Sequence, residues 1–386
     1  MQKGKHFSLE DILIDNANIA VKEYEGYKPE DLTPDDTSEW GTPFNPDQFT
    51  ASLKKVQLRN TSFQYTDGDE KPLPFEFDEK HMIVKDIQLT LENTTIQADT
   101  IFTQMKHLSA KERCGLEIKK MSGNIALSQV KTIIDQLQLQ TNYSTLSNRY
   151  EMHYRNFHDF DDYIQKVSMY ANLVNTSISS IDIAYFANTL EQYPISLSLG
   201  GEIQGTVNDL QGKNLSFETR NSIFKGDAKV KGLPDLNTTF FDVDIHTLQT
   251  SGKDMNALIP ATKVDAIQWN KLDRIQYSGR YSGYIDDFTT NGTLLSNLGN
   301  AQLDIAMNFN SNTTKYVGEI ETENFDIGTL LQEAKVGKIS MKGKIEGSGF
   351  DLKDVNTKMD ATISKIEADG NIYSDITING ILQNKK

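Results

Sequence analysis

The chain reads as a mainly β protein with a few short helices. Three observations predict this class. Apolar and polar residues alternate at period two along many segments, turn-forming clusters separate those segments, and stretches with a helical apolar period are few and short. The clearest strand is AQLDIAMNF, in which Ala301, Leu303, Ile305, Met307 and Phe309 alternate with Gln302, Asp304, Ala306 and Asn308. Successive side chains of a strand point to opposite faces, so this segment has one apolar face and one mostly polar face.

The same pattern recurs along the chain. VQLRNTSFQY and KDIQLTL carry it early. YPISLSLGGEIQGTV places Ile195, Leu197, Leu199, Gly201, Ile203, Gly205 and Val207 on one side. FFDVDIHTL alternates Phe241, Val243 and Ile245 with acids and a histidine, and NIYSDITINGIL alternates Ile372, Ile376 and Ile378. TDGDEKPLP, NDLQGKN, KGLPDLN, SNLGN and GSGFDLKD are turn signals. Strands at this spacing point to an all-β arrangement and not to βαβ units.

Helices are expected at four places. Phe160 to Val174 has Tyr163, Ile164, Val167, Tyr170, Ala171 and Val174 at helical spacing, with Asp159, Asp161 and Asp162 at its positive N-terminal end. Ser179 to Gln192 follows, with Ser179 or Ser180 as cap. Asp326 to Ala334 and KDMNALI are shorter. The resulting division is a β-rich segment over 1–150, a helical insertion over 151–194 and a continued β-array over 195–386.

Two weak repeats run through the array. Leu13 to Val21 and Gln57 to Tyr65 share an apolar-x-Asn-x-x-apolar-x-apolar frame at an offset of 44 residues. GGEIQGTV, YSGRYSGYIDDF and ISMKGKIEGSGF share a glycine-punctuated strand entry. Glycine at every fourth position keeps one parity and leaves that face small.

The totals narrow the function classes. A hydrophobic fraction of 37% and a mean hydropathy of −0.50 over 386 residues imply a thin, elongated core. A net charge of −15 argues against nucleic acid as a partner and against simple adsorption to anionic headgroups. The single cysteine, Cys114, permits no internal disulfide. No run of about 18 apolar residues occurs. The start, MQKGKHFSLEDILID, has no apolar signal core, which fits a cytosolic protein or a fragment without its targeting segment. The eight N-x-S/T sequons, among them Asn60, Asn93, Asn142 and Asn291, read as exposed strand and turn positions and not as glycosylation sites.

Chemistry-bearing motifs are sparse. HYRNFHDFDD gathers His153, His158, Asp159, Asp161 and Asp162, which could hold a divalent ion, but a strand or loop running into an acid-capped helix is the favoured reading. GKIEGSG lacks the Lys-Ser/Thr and the helix of a phosphate loop, and TDGDE lacks the spaced acids of a calcium loop. No nucleophile elbow, HExxH or paired-cysteine motif occurs. The expectation is therefore a protein that is not an enzyme, with no metal and no cofactor. What remains is the one-sided strand face itself, whose cover is a second sheet, another protein or lipid.

Several segments together resemble the TamB (translocation and assembly module) proteins of Bacteroidota, members of the wider AsmA-like group. They are VQLRNTSFQYTDGD, HLSAKERCGLEIKKMSGNI, SISSIDIAYFANTL, GLPDLNTT, YSGRYSGYIDDFTTNGTLLSNLGNAQLDIAMN, FDIGTLLQ with VGKISMKGKIEGSGF, and GNIYSDITINGIL. They fall in family order and span nearly the whole chain. The resemblance implies an elongated, curved antiparallel β-groove, a half-pipe or β-taco, crossing the periplasm. It implies an inner-membrane anchor and a C-terminal TamB domain outside this piece. The function it implies is phospholipid movement between inner and outer membranes, with acyl chains as partners. Help in assembling outer-membrane β-barrel proteins by strand augmentation is the alternative, and a structural β-sandwich is a second one. The groove candidates are Ile195, Leu197, Leu199, Ile203, Val207, Phe241, Val243, Ile245, Leu303, Ile305, Met307, Phe309, Ile376 and Ile378.

Overall fold

The computed structural model describes residues 6–23, 45, 48–68, 71–186, 195–219, 221–258, 268–309, 313–349 and 355–383. The described residues are mainly β, with few short helices. They form two compact units, 1–210 and 211–386.

The first unit contains β1 (His6–Asp15), β2 (Asn18–Glu23), β3 (Thr50–Asp67), β4 (Ile83–Gln97), β5 (Thr100–Glu112), β6 (Glu117–Ser128), β7 (Lys131–Gln140), β8 (Thr145–His153), β9 (Ser168–Ser179) and β10 (Ser196–Thr206). From β3 onward each strand pairs antiparallel with the next. β1 and β2 lie one after the other along β3, in parallel. His6 is opposite Thr50 and Val21 is opposite Tyr65, so the offset of 44 residues in the sequence repeat is the register of this pairing. The two copies of the frame sit side by side.

Left-handed residues at irregular points explain that frame. Asn16 and Asn60 stand at φ 53 and 46, and Asn93, Gln136, Asn148 and Asn175 repeat the feature further along the sheet. Asparagine reaches this conformation at lower cost than branched residues do. Register shifts accompany several of them, for example between Glu92 and Thr95 and between Asp135 and Leu137. The residue after the left-handed one is often buried, as with Thr61, Thr94, Leu137 and Thr176. Asn60, Asn93 and Asn175 are thus sequon asparagines that form β-bulges. Side-chain amides pair across the bulges: Gln88 donates to Asn60 at 2.9 Å and Asn148 to Asn172 at 3.1 Å.

The helix expected over Phe160 to Val174 is not formed. Phe157–Asp162 is a 3-10 segment, α1 (Tyr163–Lys166) is a single turn, and the chain then enters β9. Val167, fully buried, is already extended. Met169, Ala171 and Leu173 also alternate, and pairing on both sides, with β8 and β10, outweighs the helical spacing. The 151–194 segment therefore contributes a strand as well as short helices. In α2 (Ser180–Ala184), Ser179 is the cap and accepts from the Ile181 N–H. The part of that expected helix beyond residue 186 lies outside the described residues.

The second unit contains β11 (Asp209–Glu218), β12 (Ile223–Lys231), β13 (Phe240–Thr250), β14 (Ile275–Gly283), β15 (Asp287–Ser296), β16 (Gly299–Asn308), β17 (Lys315–Asp326), β18 (Val336–Ser348), β19 (Asn356–Ala368) and β20 (Asn371–Gln383). From β12 to β20 each strand pairs antiparallel with the next in one meander. Two short helices follow β13 and β17: α3 (Gly252–Leu258) and α4 (Ile327–Leu331). They meet at one end of the sheet, where Met255, Trp269, Leu294 and Leu330 pack on the buried Leu272, Ile275 and Leu298. Asp326 caps α4, its carboxylate accepting from the Thr329 N–H at 2.9 Å.

Candidate functional site

The register of the second unit's strands carries the alternation of single strands into continuous rows. One row runs Val243, Tyr281, Thr290, Ile305, Gly318, Ile345, Met359 and Gly380. Its neighbour runs Ile245, Gly279, Gly292, Leu303, Ile320, Gly343, Ala361 and Ile378. A third passes through Phe241, Gly283, Phe288, Met307, Tyr316, Gly347, Thr357 and Leu382. Apart from two threonines, every member is an apolar residue, a tyrosine or a glycine. The sheet thus has a broad apolar face eight strands wide.

Burial separates the two faces. Leu303, Ile305 and Met307 are half-buried, while Gln302 and Asp304 of the other parity are exposed. Phe241, Val243 and Ile245 are half-buried against exposed Asp244 and His246. Ile376 and Ile378 are half-buried against exposed Thr377 and Asn379. The meander is one sheet, so no second sheet among the unit's described strands covers this face.

Glycines shape the face by removing side chains where neighbouring backbones come close. At Gly318 (φ +154) a Cβ would lie 2.0 Å from the Asp304 carbonyl oxygen. At Gly343 it would lie 2.3 Å from the Ala361 Cβ. Both are closer than real Cβ contacts, so glycine is required there.

The two ends of the face differ. The end under α3 and α4 is closed by the Leu272, Ile275 and Leu298 cluster. The opposite end carries aromatic rings: Tyr281 stacks on Phe288 at 4.8 Å, Phe288 lies 6.1 Å from Phe309, and Phe240 meets Tyr284 edge-on at 5.5 Å. Burial, followed by the nearby Asp286 charge, raises the Tyr281 hydroxyl above the ordinary tyrosine range. It remains a neutral hydrogen-bond donor to the Tyr284 carbonyl at 2.6 Å.

The opposite face is charged. Lys342 pairs with Glu321 at 2.7 Å, Lys344 with Glu319 at 3.2 Å, and Arg280 grips Asp242 through two hydrogen bonds at 2.9 and 3.0 Å. Open hollows of about 550–600 Å³ lie among side chains of this face, including Gln302, Asp304, Glu319, Lys342 and Lys344. Leu303, Ile305 and Met307 of the apolar rows also line these hollows.

The remaining candidates belong to the first unit. Ile195 precedes β10, Leu197, Leu199 and Ile203 lie on it, and Val207 follows it. Leu197 is opposite Ile178, Leu199 opposite Thr176 and Ile203 opposite Ala171. Leu199 is buried and the other four are half-buried. Apolar rows cross this sheet too, one passing through Ile96, Ile101, Leu127, Thr132, Met152 and Met169.

The histidine and acid cluster serves structure. Asp159 is buried and accepts from the Arg155 backbone N–H at 2.7 Å and from its guanidinium at 2.9 Å. His153 sits on β8 beside Glu151 at 3.0 Å, while His158 is exposed. No group of three His, Cys, Asp or Glu among the described residues is placed to hold a metal. Cys114 is buried, and burial followed by a hydrogen bond with Glu112 pushes its thiol up to about 11. At neutral pH it is protonated and a poor nucleophile.

Alternation within single strands did not reveal Tyr281, Phe288, Tyr316, Ile320, Ile345 and Met359 as members of the same face. The signal was available in the glycine-punctuated segments, because their glycines share rows with the large apolar residues. Among the described residues no helix is long and apolar enough to cross a membrane. Comparison with protein-family models, with curated proteins and with solved structures gives no match.

Proposed function

We propose that the chain is a segment of a TamB/AsmA-like protein whose apolar sheet face shelters phospholipid acyl chains on their way between the inner and outer membranes. The observation that carries this reading is the set of apolar rows from β13 to β20, mostly half-buried and, among the described residues, without a second sheet of their unit over them. Each methylene removed from water on such a wall contributes about 0.8 kcal/mol. Few fixed polar groups interrupt the rows, so a chain can shift along them without breaking hydrogen bonds. The charged face and the net charge of −15 keep the segment dissolved and off anionic headgroups. A periplasmic location, with the anchor supplied outside these residues, belongs to the same proposal.

The test is direct. The purified chain is extracted and its phospholipid measured by mass spectrometry, beside a variant carrying Leu303→Asp, Ile305→Asp and Met307→Asp. Lipid in the native chain and its loss from a variant with unchanged circular dichroism is the expected result. Lipid-free native protein, or equal lipid in both, sinks the conduit.

A further inference from the structure

We propose that residues 157–166 form a gate on the apolar face of the first unit, resting across the acyl-chain path and swinging off it as one body. The proposal rests on the lipid reading above and adds a point of control to it. Two other turns at this end of the strands are tight, residues 98–99 between β4 and β5 and residues 129–130 between β6 and β7. From β8 to β9 the chain instead takes residues 154–167, and this excess folds back over the apolar rows. One of those rows runs Ile96, Ile101, Leu127, Thr132, Met152 and Met169. Its neighbour runs Ile125, Ile134, Tyr150, Ala171 and Ile203.

A chain of rings lies across both rows. Tyr154 keeps the parity of Met152; its hydroxyl lies 2.9 Å from that of Thr132 and donates to the Ser128 carbonyl at 2.8 Å. Phe157 and Phe160 pack on Tyr154 at 5.6 and 4.9 Å, and Tyr163 follows at 6.0 Å from Phe160. The Tyr163 hydroxyl donates to the Met169 sulfur at 3.0 Å and accepts from the Tyr150 hydroxyl at 2.9 Å. The rings thus reach members of both rows on β7, β8 and β9. An acyl chain moving along either row from β6 meets them.

The hydrogen bonds mark the segment as one body. Asp159 is tied to Arg155 at 2.9 Å, Asn156 accepts from the His158 N–H at 2.9 Å, and Lys166 pairs with Asp162 at 3.4 Å. Toward the strands the segment is held by ring contacts, by the relay from Tyr150 through Tyr163 to Met169, and by the Ile164 carbonyl, which accepts from the Asn208 N–H at 3.1 Å. Both flanks are fixed, since the Tyr154 N–H donates to the Val130 carbonyl at 3.0 Å and Val167 is fully buried. A stretch that is stiff in itself, anchored at its flanks and seated mainly by apolar contact has the build of a lid. An acyl chain supplies the same kind of contact, so it replaces the rings without leaving the rows open to water. The Tyr150 and Tyr163 hydroxyls partner each other while the segment is down, which makes that the resting state.

The test loads the native chain and a Tyr163→Phe variant with a fluorescent phosphatidylethanolamine and times its release into excess phosphatidylcholine vesicles. Tyr163→Phe cuts the relay and keeps the ring. Release several-fold faster than native, with the amount loaded unchanged, is the expected result. Tyr143→Phe, at an exposed position on the turn between β7 and β8, should release at the native rate. Hydrogen exchange of the native chain gives a second reading, in which loading speeds exchange of the amides of residues 160–166. That measurement decides if Tyr163→Phe folds poorly. Release from Tyr163→Phe at the native rate, or amides of 160–166 that do not respond to loading, overturns the gate and leaves the lipid reading standing. A native chain that takes up no lipid overturns the lipid reading, and the gate with it.

Discussion

The strands of the two units, all members of one sheet, solve the same problem with a different balance of residues. Long strands must bend to keep an apolar side together. In the first unit the bends fall at left-handed asparagines, at Asp86 and at Gln136, and register shifts run through most of its strand pairs. In the second unit glycines take the close approaches and β14 to β17 keep a single unbroken register, while register shifts lie on either side of them, one at the left-handed Asn324. A bulge adds a residue and can move the following side chains to the other face, so the apolar stripe must be re-phased after each one. A glycine leaves the parity alone, and rows such as Leu303, Ile320, Gly343 and Ala361 run straight across. Strands β14 to β17 therefore present the most regular part of the wall.

Substitutions can break this contrast, and the largest effect is expected at a glycine. Gly343→Val places side-chain carbons against the Ala361 backbone, 2.4 Å from Cβ to Cα, and should cost about 3 kcal/mol of stability by overpacking. Urea denaturation of the pure variant measures it, and a loss below about 1 kcal/mol would mean the rows are not as close as described.

The first sheet should respond next, through its polar ties. Arg155, by hydrogen bonding and charge, holds the Asp159 carboxyl below the usual carboxylate range against the opposing effect of burial. A depressed carboxylate stabilises the fold above its unfolded pKa of about 3.9, and that contribution is lost as pH falls through the folded value. Asp159→Asn should cost about 2 kcal/mol at neutral pH and flatten the stability profile below about pH 4. Thermal melts at pH 7 and pH 3 compare the two proteins. An equal loss at both pH values would remove the ion pair from the account.

A smaller effect is expected at a bulge. Asn60→Ala forces alanine into a left-handed conformation and should cost about 1 kcal/mol, whereas Asn60→Gly should be nearly neutral. If both variants lose the same amount, the amide bond from Gln88 matters more than the backbone conformation. The smallest effect concerns Cys114. Its thiol, pushed up to about 11, should react at pH 8 many-fold more slowly in the native chain than in urea. Reaction at the unfolded rate would place Cys114 in an open region and not in a packed one.

Much of this was legible in the residues. Period-two alternation located AQLDIAMNF, FFDVDIHTL and NIYSDITINGIL as strands, and glycine parity marked the face on which they lie. The frame shared by Leu13–Val21 and Gln57–Tyr65 announced a repeat, but not that the copies would pair, because sequence similarity carries no information on strand partners. Phe160 to Val174 was misread for a physical reason. Its side chains satisfy both periods, and the strand won through backbone pairing on two sides, which no local pattern contains. The aromatic end of the second sheet was likewise invisible, since Tyr281, Phe288 and Phe309 come together only through the register of three strands.

The parallel seating of β1 and β2 on β3 has a consequence for how the chain finds its fold. From β3 to β10 each strand can zip onto the one just before it, closing short loops as it goes. The first two strands must cross 44 residues of sequence to reach their places. Long closures are slower and come at greater entropic cost. The beginning of the chain should accordingly be the last part of the first sheet to dock and the first to peel away, so that amides of Phe7 to Ile14 exchange with solvent ahead of those of β4 and β5.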